Sequence, residues 1–277
     1  MLVPRRLLAA LAGLLLAGGA ALAAAPEDDP WPDLREALFE QRPIAEDSGV
    51  IALEAPYRAY DAAIVPITMT AAQPQTAERY ITSITLVIDK NPAPVAAVFH
   101  LGPRSGDATI ATRVRVNEYT NVRAIAELND GSLHMATRFV KAAGGCSAPA
   151  LKDQEAAIAR LGKLKLKQAQ VTGGAEPGKP RRAQLLISHP NYSGLQMDPL
   201  TRHYIPAEFV QEIKVSLAGQ TVLTVEGAIS LSEDPSIHFS FLPQQAVESP
   251  GDISVRVRDT EDRVFEGRWP IEGPAGS

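Results

Sequence analysis

Residues 122–140 read VRAIAELNDGSLHMATRFV, and this stretch sets the fold class. Two apolar-rich runs, Val122 to Leu128 and Leu133 to Val140, flank Asn129-Asp130-Gly131-Ser132. Asn, Asp and Gly accept the positive φ of a tight turn, so the stretch predicts a β-hairpin. Upstream lie similar runs between turn residues: Val50 to Leu53, Ile64 to Thr70, Tyr80 to Asp89, Val95 to His100 and Thr109 to Val116. In the last, Val114 and Val116 alternate with Arg113 and Arg115, as in a strand with one wet face. About seven short strands at this spacing predict an immunoglobulin-like sandwich. Ahead of them, Leu34, Ala37 and Leu38 follow Asp28-Asp29-Pro30-Trp31-Pro32. That spacing predicts a short amphipathic helix that starts at a proline and caps the sandwich.

Downstream, Leu151 to Gln168 mixes Ala156, Ala157, Ile158, Leu161, Leu164 and Leu166 with Lys, Gln and Glu. It reads as an irregular helix weakened by Gly162. Thr172 to Pro180 (TGGAEPGKP) has the composition of a linker. A second β-rich region runs from Ala183 to Trp269. Ile213, Val215 and Leu217 alternate with Lys214 and Ser216, while Ile237, Phe239, Phe241 and then Ile253, Val255, Val257 line one face. The expected fold is therefore all-β: two immunoglobulin-like β-sandwich domains in tandem, joined by a partly helical linker. The boundaries fall at 31–146 for the first sandwich, 147–180 for the helix and linker, and 181–271 for the second.

The 277 residues are 45% hydrophobic and 21% charged, the balance of a soluble globular protein, with a formal net charge of -5. Acids and bases are mixed along the chain. Arg181-Arg182 and the run from Lys163 to Lys167 are too short to make the concentrated basic patch that a nucleic-acid partner needs. At the N-terminus Arg5-Arg6 precede an apolar core, Leu7 to Leu16, and small residues ending in Ala20 to Ala25. This is the layout of a secretory signal peptide, placed at 1–23. Its core is shorter than the ~20 residues that span a bilayer, and no later segment is apolar enough to cross one. The expected location is the periplasm.

Cys146 is the only cysteine. In an exported protein an unpaired thiol is either sheltered or meant to react. It lies in Ala142-Ala143-Gly144-Gly145-Cys146-Ser147-Ala148-Pro149, a run of small residues that offers little to bury it. The expectation is an exposed thiol on a flexible stem, with Gly144 and Gly145 as its hinge. The stem from Lys141 could extend roughly 17 Å. A limber stem suits a carrier better than an active site, which needs rigid placement. At an ordinary pKa near ~8.5 only about 3% of the thiol would be ionised at pH 7. Lys141 and Arg138 could lower that pKa, but sequence alone does not put them near the sulfur. The five histidines, at 100, 134, 189, 203 and 238, show no metal-ligand spacing and read as surface or satisfied side chains. No C-x-x-C-H haem site, phosphate loop or G-x-S-x-G elbow occurs. No catalytic residue, metal or cofactor is assigned.

Phe39, Pro43-Ile44, Ile64-Val65-Pro66-Ile67-Thr68, Lys90-Asn91-Pro92-Ala93-Pro94, Thr112-Arg113-Val114-Arg115 and the run from Ala124 to Gly144-Gly145-Cys146 together resemble SoxY, a subunit of the bacterial sulfur-oxidation carrier. His189-Pro190, Gly194, Ile205-Pro206, Phe209 to Glu212, Asp234-Pro235 and Phe239-Ser240-Phe241 are similar to SoxZ. Two such subunits in one chain look like the fused SoxYZ-like carriers found beside quinoprotein dehydrogenases. The resemblance implies a carrier of the thiosulfate-oxidation type and not an enzyme. Cys146 would hold sulfur intermediates covalently on an arm that swivels at Gly144 and Gly145. Periplasmic enzymes would load and unload it, with a c-type cytochrome or a quinoprotein dehydrogenase as candidate partners, and the two halves would dock on one another. One departure stands out. In the family the arm is a free C-terminus with glycines on both sides of the cysteine, whereas here Ser147-Ala148-Pro149 and about half the chain lie beyond it. The alternative reading is a non-covalent accessory or assembly module for a periplasmic quinoprotein (PQQ) dehydrogenase, in which the cysteine is incidental.

Overall fold

Two β-sheets face each other, and both run through the two halves of the chain without a break. The computed structural model describes residues 29–149, 154–169, 178–243 and 251–272, so the segment expected to be a signal peptide (1–23) and most of the expected linker lie outside the described residues. The first half contributes helix α1 (Trp31–Phe39) and strands β1 (Ile44–Glu46), β2 (Ile51–Glu54), β3 (Val65–Ala71), β4 (Ile81–Ile88), β5 (Val95–Leu101), β6 (Ile110–Val114), β7 (Thr120–Leu128) and β8 (Leu133–Val140). The second adds α2 (Gln154–Arg160), β9 (Leu164–Gln168), β10 (Arg181–Ile187), β11 (Val210–Leu217), β12 (Gln220–Gly227), β13 (Ser236–Phe241), β14 (Asp252–Asp259) and β15 (Val264–Pro270). Both halves are immunoglobulin-like β-sandwiches.

The hairpin read at 129–132 is present, with Gly131 at φ 81 and Ser132 bonded through its backbone N–H to the Asp130 carboxylate. The larger sheet runs β1-β8-β7-β4-β5-β12-β11-β14-β15 and the smaller β2-β3-β6-β13-β10-β9. The halves join twice. β5 pairs antiparallel with β12 from Leu101↔Leu223 to Ala97↔Gly227, and β6 pairs with β13 through Ala111↔His238 and Ile110↔Phe239. A continuous apolar core fills the space between the sheets, from Leu53, Ile67, Leu86 and Phe99 in the first half to Ile213, Val225, Phe239 and Phe241 in the second. Apolar area removed from water drives this docking.

Helix α1 begins at Pro30 with proline again in its first turn, as expected. It covers the outer face of the larger sheet, where Trp31, Phe39, Val87, Ile125, Leu133 and Met135 form a second cluster. Beneath Trp31 lies a buried ion pair. Both Asp89 carboxylate oxygens accept from Arg123 Nε at 2.9 Å, and the guanidinium stacks 4.2 Å from the indole.

Two expectations need correction. The helix read over Leu151 to Gln168 stops at Arg160, where Gly162 takes φ 76 and turns the chain into β9. Lys165 and Lys167 are exposed while Leu166 is buried, an alternation that pairs β9 with β10 as an edge strand. The second concerns Arg115. It does not lie on a wet face but is buried to 2% exposure. β6 ends at Val114, and residues 229–231 of the second half fold over the chain immediately beyond that strand.

Candidate functional site

The site is assembled from three segments that meet where the two halves join. Asn91 organises the first. Its Nδ2 donates to Arg115 O at 2.8 Å and to Ser230 Oγ at 2.9 Å, and its Oδ1 accepts from Asn117 N at 2.8 Å. Residues 115–117 are thereby fixed against both the first half and the 229–231 loop. Val116 N also donates to Ala62 O at 2.8 Å, which brings in the second segment.

The Gly144-Gly145-Cys146 turn docks on this platform. Gly144 N donates to Asn117 O at 2.8 Å and Gly145 N to Val116 O at 2.9 Å. Gly144 has φ 78, a left-handed conformation that glycine adopts without penalty. Gly145 serves another purpose. A methyl group on it would fall onto the Ala62 carbonyl and come within 2.7 Å of Val116 O, so only glycine lets the turn sit this close.

The third segment is the 189–196 loop of the second half. Ser193 Oγ donates to Cys146 O, and Gln196 Nε2 donates to Ala148 O at 2.9 Å. Gln196 Oε1 in turn accepts from Ser193 N at 3.2 Å. The loop is anchored from below. Asn191 Nδ2 donates to Leu231 O, its Oδ1 accepts from Val210 N, and its own N–H donates to His189 Nδ1 at 3.0 Å.

The outcome for the thiol reverses the expectation. Cys146 is 0% exposed, and desolvation pushes its pKa up to about 11 despite the favourable charge of Arg115. Small residues bring little side-chain material of their own to bury a thiol. Small residues also let backbone approach backbone, and that close approach is what buries it. Gly144 and Gly145 are docking residues in this state, not a free swivel. Lys141 stacks 4.9 Å from the Tyr57 ring and Arg138 donates to Thr137 O, so neither serves the sulfur. Ser193 and Gln196 carry no local sequence signal, being ordinary polar residues 47 positions and more from the cysteine.

His189, Glu208 and Asp259 bring their ligand atoms within 4.8 Å of one another. Arg263 already bridges them: Nε donates to Asp259 Oδ2 at 2.7 Å and Nη2 pairs with Glu208. His189 Nδ1 accepts the Asn191 N–H, so Nε2 carries the proton and faces Asp259 Oδ2 at 3.4 Å. A guanidinium thus fills the place of a cation, and the cluster supports the 189–196 loop. Burial holds the His189 pKa below its ordinary value, against the pull of Asp259. Because the folded protein resists protonation there, stability is full above the unfolded value of ~6.5 and falls as pH drops below it. Urea midpoints measured from pH 7.5 down to pH 5 should decline more steeply for the wild type than for His189→Gln. Equal slopes would remove His189 as the cause.

Fold and site together define a two-lobed β-sandwich protein with one thiol sheltered at the junction of its lobes. The family models "Sulfur oxidation protein SoxY" and "Sulphur oxidation protein SoxZ" match residues 35–146 and 170–270 respectively. The chain belongs to the SoxYZ sulfur-carrier family, with a SoxY domain followed by a SoxZ domain in one polypeptide. The SoxY match ends on Cys146. Among solved structures, the sulfur carrier protein SoxY from Chlorobium limicola is 28% identical, over 41% of this chain and 91% of that one, with a TM-score of 0.34. A superoxide reductase (neelaredoxin) from Ignicoccus hospitalis is 15% identical over 35% and 94%, with a TM-score of 0.32. No curated protein sequence matches the chain. Among the described residues no helix is long and apolar enough to cross a membrane.

Proposed function

We propose that this protein is a periplasmic covalent carrier that holds sulfur-containing intermediates on Cys146 and presents them to partner enzymes. The observation that carries the reading is the place of the only thiol. It is the last residue of the SoxY-matched segment and lies on a turn held by few polar contacts. Loading is attack by the Cys146 thiolate on a disulfide-like sulfur donor, and a second exchange releases the cargo. Burial sets a condition on that chemistry. At a pKa of about 11 only about one thiol in ten thousand is ionised at pH 7. Reaction therefore proceeds from an undocked turn, where the thiol regains an ordinary pKa. Undocking breaks the bonds of Gly144, Gly145, Ser193 and Gln196, at about 1 kcal/mol each. That leaves roughly one molecule in a thousand open, a population that a partner enzyme enlarges by binding the released turn.

The same burial favours a second reading, the non-covalent accessory module of a quinoprotein dehydrogenase, in which Cys146 is a core residue. Intact-mass analysis of the protein from its native periplasm distinguishes the two. The carrier reading expects a thiol-bound adduct in cells carrying out the relevant metabolism, and loss of function in Cys146→Ser. A bare thiol throughout, with Cys146→Ser fully active, would establish the accessory role.

A further inference from the structure

Arg115 is a cation with an incomplete set of partners. Its side chain is buried, and its Nη1 donates to the main-chain carbonyls of Ile229, at 3.3 Å, and Leu231. Its Nε has no acceptor among the described residues. Carbonyl dipoles solvate a guanidinium but do not neutralise it, and the carboxylate whose charge reaches it is that of Glu233, which does not offset its desolvation. The hydrogen bond from Gly145 N to Val116 O brings the backbones of Cys146 and Arg115 together, each one residue from an end of the bond. The electrostatics agree with that geometry. Burial is the largest influence on both groups, lowering the guanidinium and raising the thiol. Next comes their mutual attraction, which for Arg115 ranks ahead of that of nearby Glu233. The thiol of the protein's only cysteine is thus docked within electrostatic reach of a buried positive charge. As a neutral thiol it gives that charge little.

We infer that Arg115 is the cargo-reading residue of the docked state: it pairs with the negative charge that an anionic sulfur adduct brings to Cys146, so the turn closes on anionic cargo in preference to neutral cargo. The inference rests on Cys146 being the attachment site. It adds the residue that answers the charge of such cargo, a group ionised within one or two atoms of the cysteine sulfur, as in a persulfide anion or a sulfonate. The guanidinium suits this role because it stays charged when desolvated and presents several N–H donors to one anion. A neutral adduct of any size leaves the Nε–H unanswered.

The test uses the full chain loaded chemically. With tetrathionate, the Cys146 thiolate attacks an inner sulfur, the central S–S bond breaks and thiosulfate leaves with the electron pair, giving Cys–S–S–SO3−. With methyl methanethiosulfonate, the thiolate displaces methanesulfinate and gives the neutral Cys–S–S–CH3. Dithiothreitol then strips each adduct, followed by intact mass, in native buffer and in unfolding urea. The ratio of the two rates is a protection factor that cancels intrinsic reactivity. The sulfonate is the bulkier group, so size alone predicts that it is protected less. In the wild type it should be protected about tenfold or more better than the methyl disulfide. In Arg115→Gln the two factors should become equal, and Arg115→Lys should keep a reduced preference. A wild-type preference at or below one overturns the inference without any variant. So does an unchanged preference in folded Arg115→Gln or, if that variant does not fold, in Arg115→Lys. Absence of a native adduct would sink the carrier reading and yet leave this measurement of charge preference intact.

Discussion

Gly145→Ala is expected to drive the Cys146 turn out of its seat and to raise labelling of the native protein by iodoacetamide about 100-fold or more. The added methyl would meet the Ala62 carbonyl carbon at 2.6 Å and Val116 O at 2.7 Å. Both are backbone atoms of segments pinned by their own hydrogen bonds, so neither gives way cheaply. If four polar contacts hold the turn at about 1 kcal/mol each, losing most of them shifts the open population by about a factor of ten per 1.4 kcal/mol. Gly144→Ala provides the contrast. Nothing lies within 4 Å of its added methyl, and the only cost is a left-handed φ of 78. That cost is about 1–2 kcal/mol, so labelling should rise only about tenfold. Equal, slow labelling of both variants would show that the thiol is not gated by this turn. Circular dichroism and a urea midpoint near that of the wild type would confirm that the sandwich itself is intact.

The largest loss of stability is expected from Arg123→Met, about 3–5 kcal/mol. Arg123 gives Asp89 charge-assisted bonds from Nε and Nη2 at 2.9 Å, and both side chains are buried beneath Trp31. Removing the guanidinium strands a carboxylate in the core and takes away the surface on which the indole stacks. Desolvation already holds the Asp89 pKa above its ordinary value even with Arg123 present. This fixes the sign of the pH effect. A carboxyl whose folded pKa is raised binds its proton more readily in the folded state, so the deficit shrinks as pH falls toward the ordinary carboxylate range. The double variant Asp89→Asn, Arg123→Met should recover much of the loss at neutral pH, since it removes the stranded charge along with its partner. Urea unfolding at pH 7 and pH 5 measures both effects. A deficit independent of pH and not relieved by Asp89→Asn would mean that lost packing, and not the uncompensated charge, dominates.

Much of this protein is legible from local pattern. Alternation in segments such as Ile213 to Leu217 and Ile253 to Val257, the Asn129-Asp130-Gly131-Ser132 turn and the proline start of α1 are encoded within a few residues of one another. A strand's two faces and a turn's φ values are set at that range. The lone thiol and its place at the end of the first sandwich can likewise be counted from the chain. The fate of that thiol cannot. Whether Arg115 faces water depends on residues 229–231, over a hundred positions away, and Cys146 sits on a turn seated against Ala62, Val116 and Asn117 and bonded to Ser193 and Gln196 of the other half. The contacts between the halves follow from β5 meeting β12 and β6 meeting β13, which happens when two apolar faces are buried together and leaves no periodic trace in either segment. Composition told that the segment around residue 146 is small. Only the tertiary fold turned smallness into close packing, because a backbone without side chains can lie against another backbone as easily as it can move through solvent.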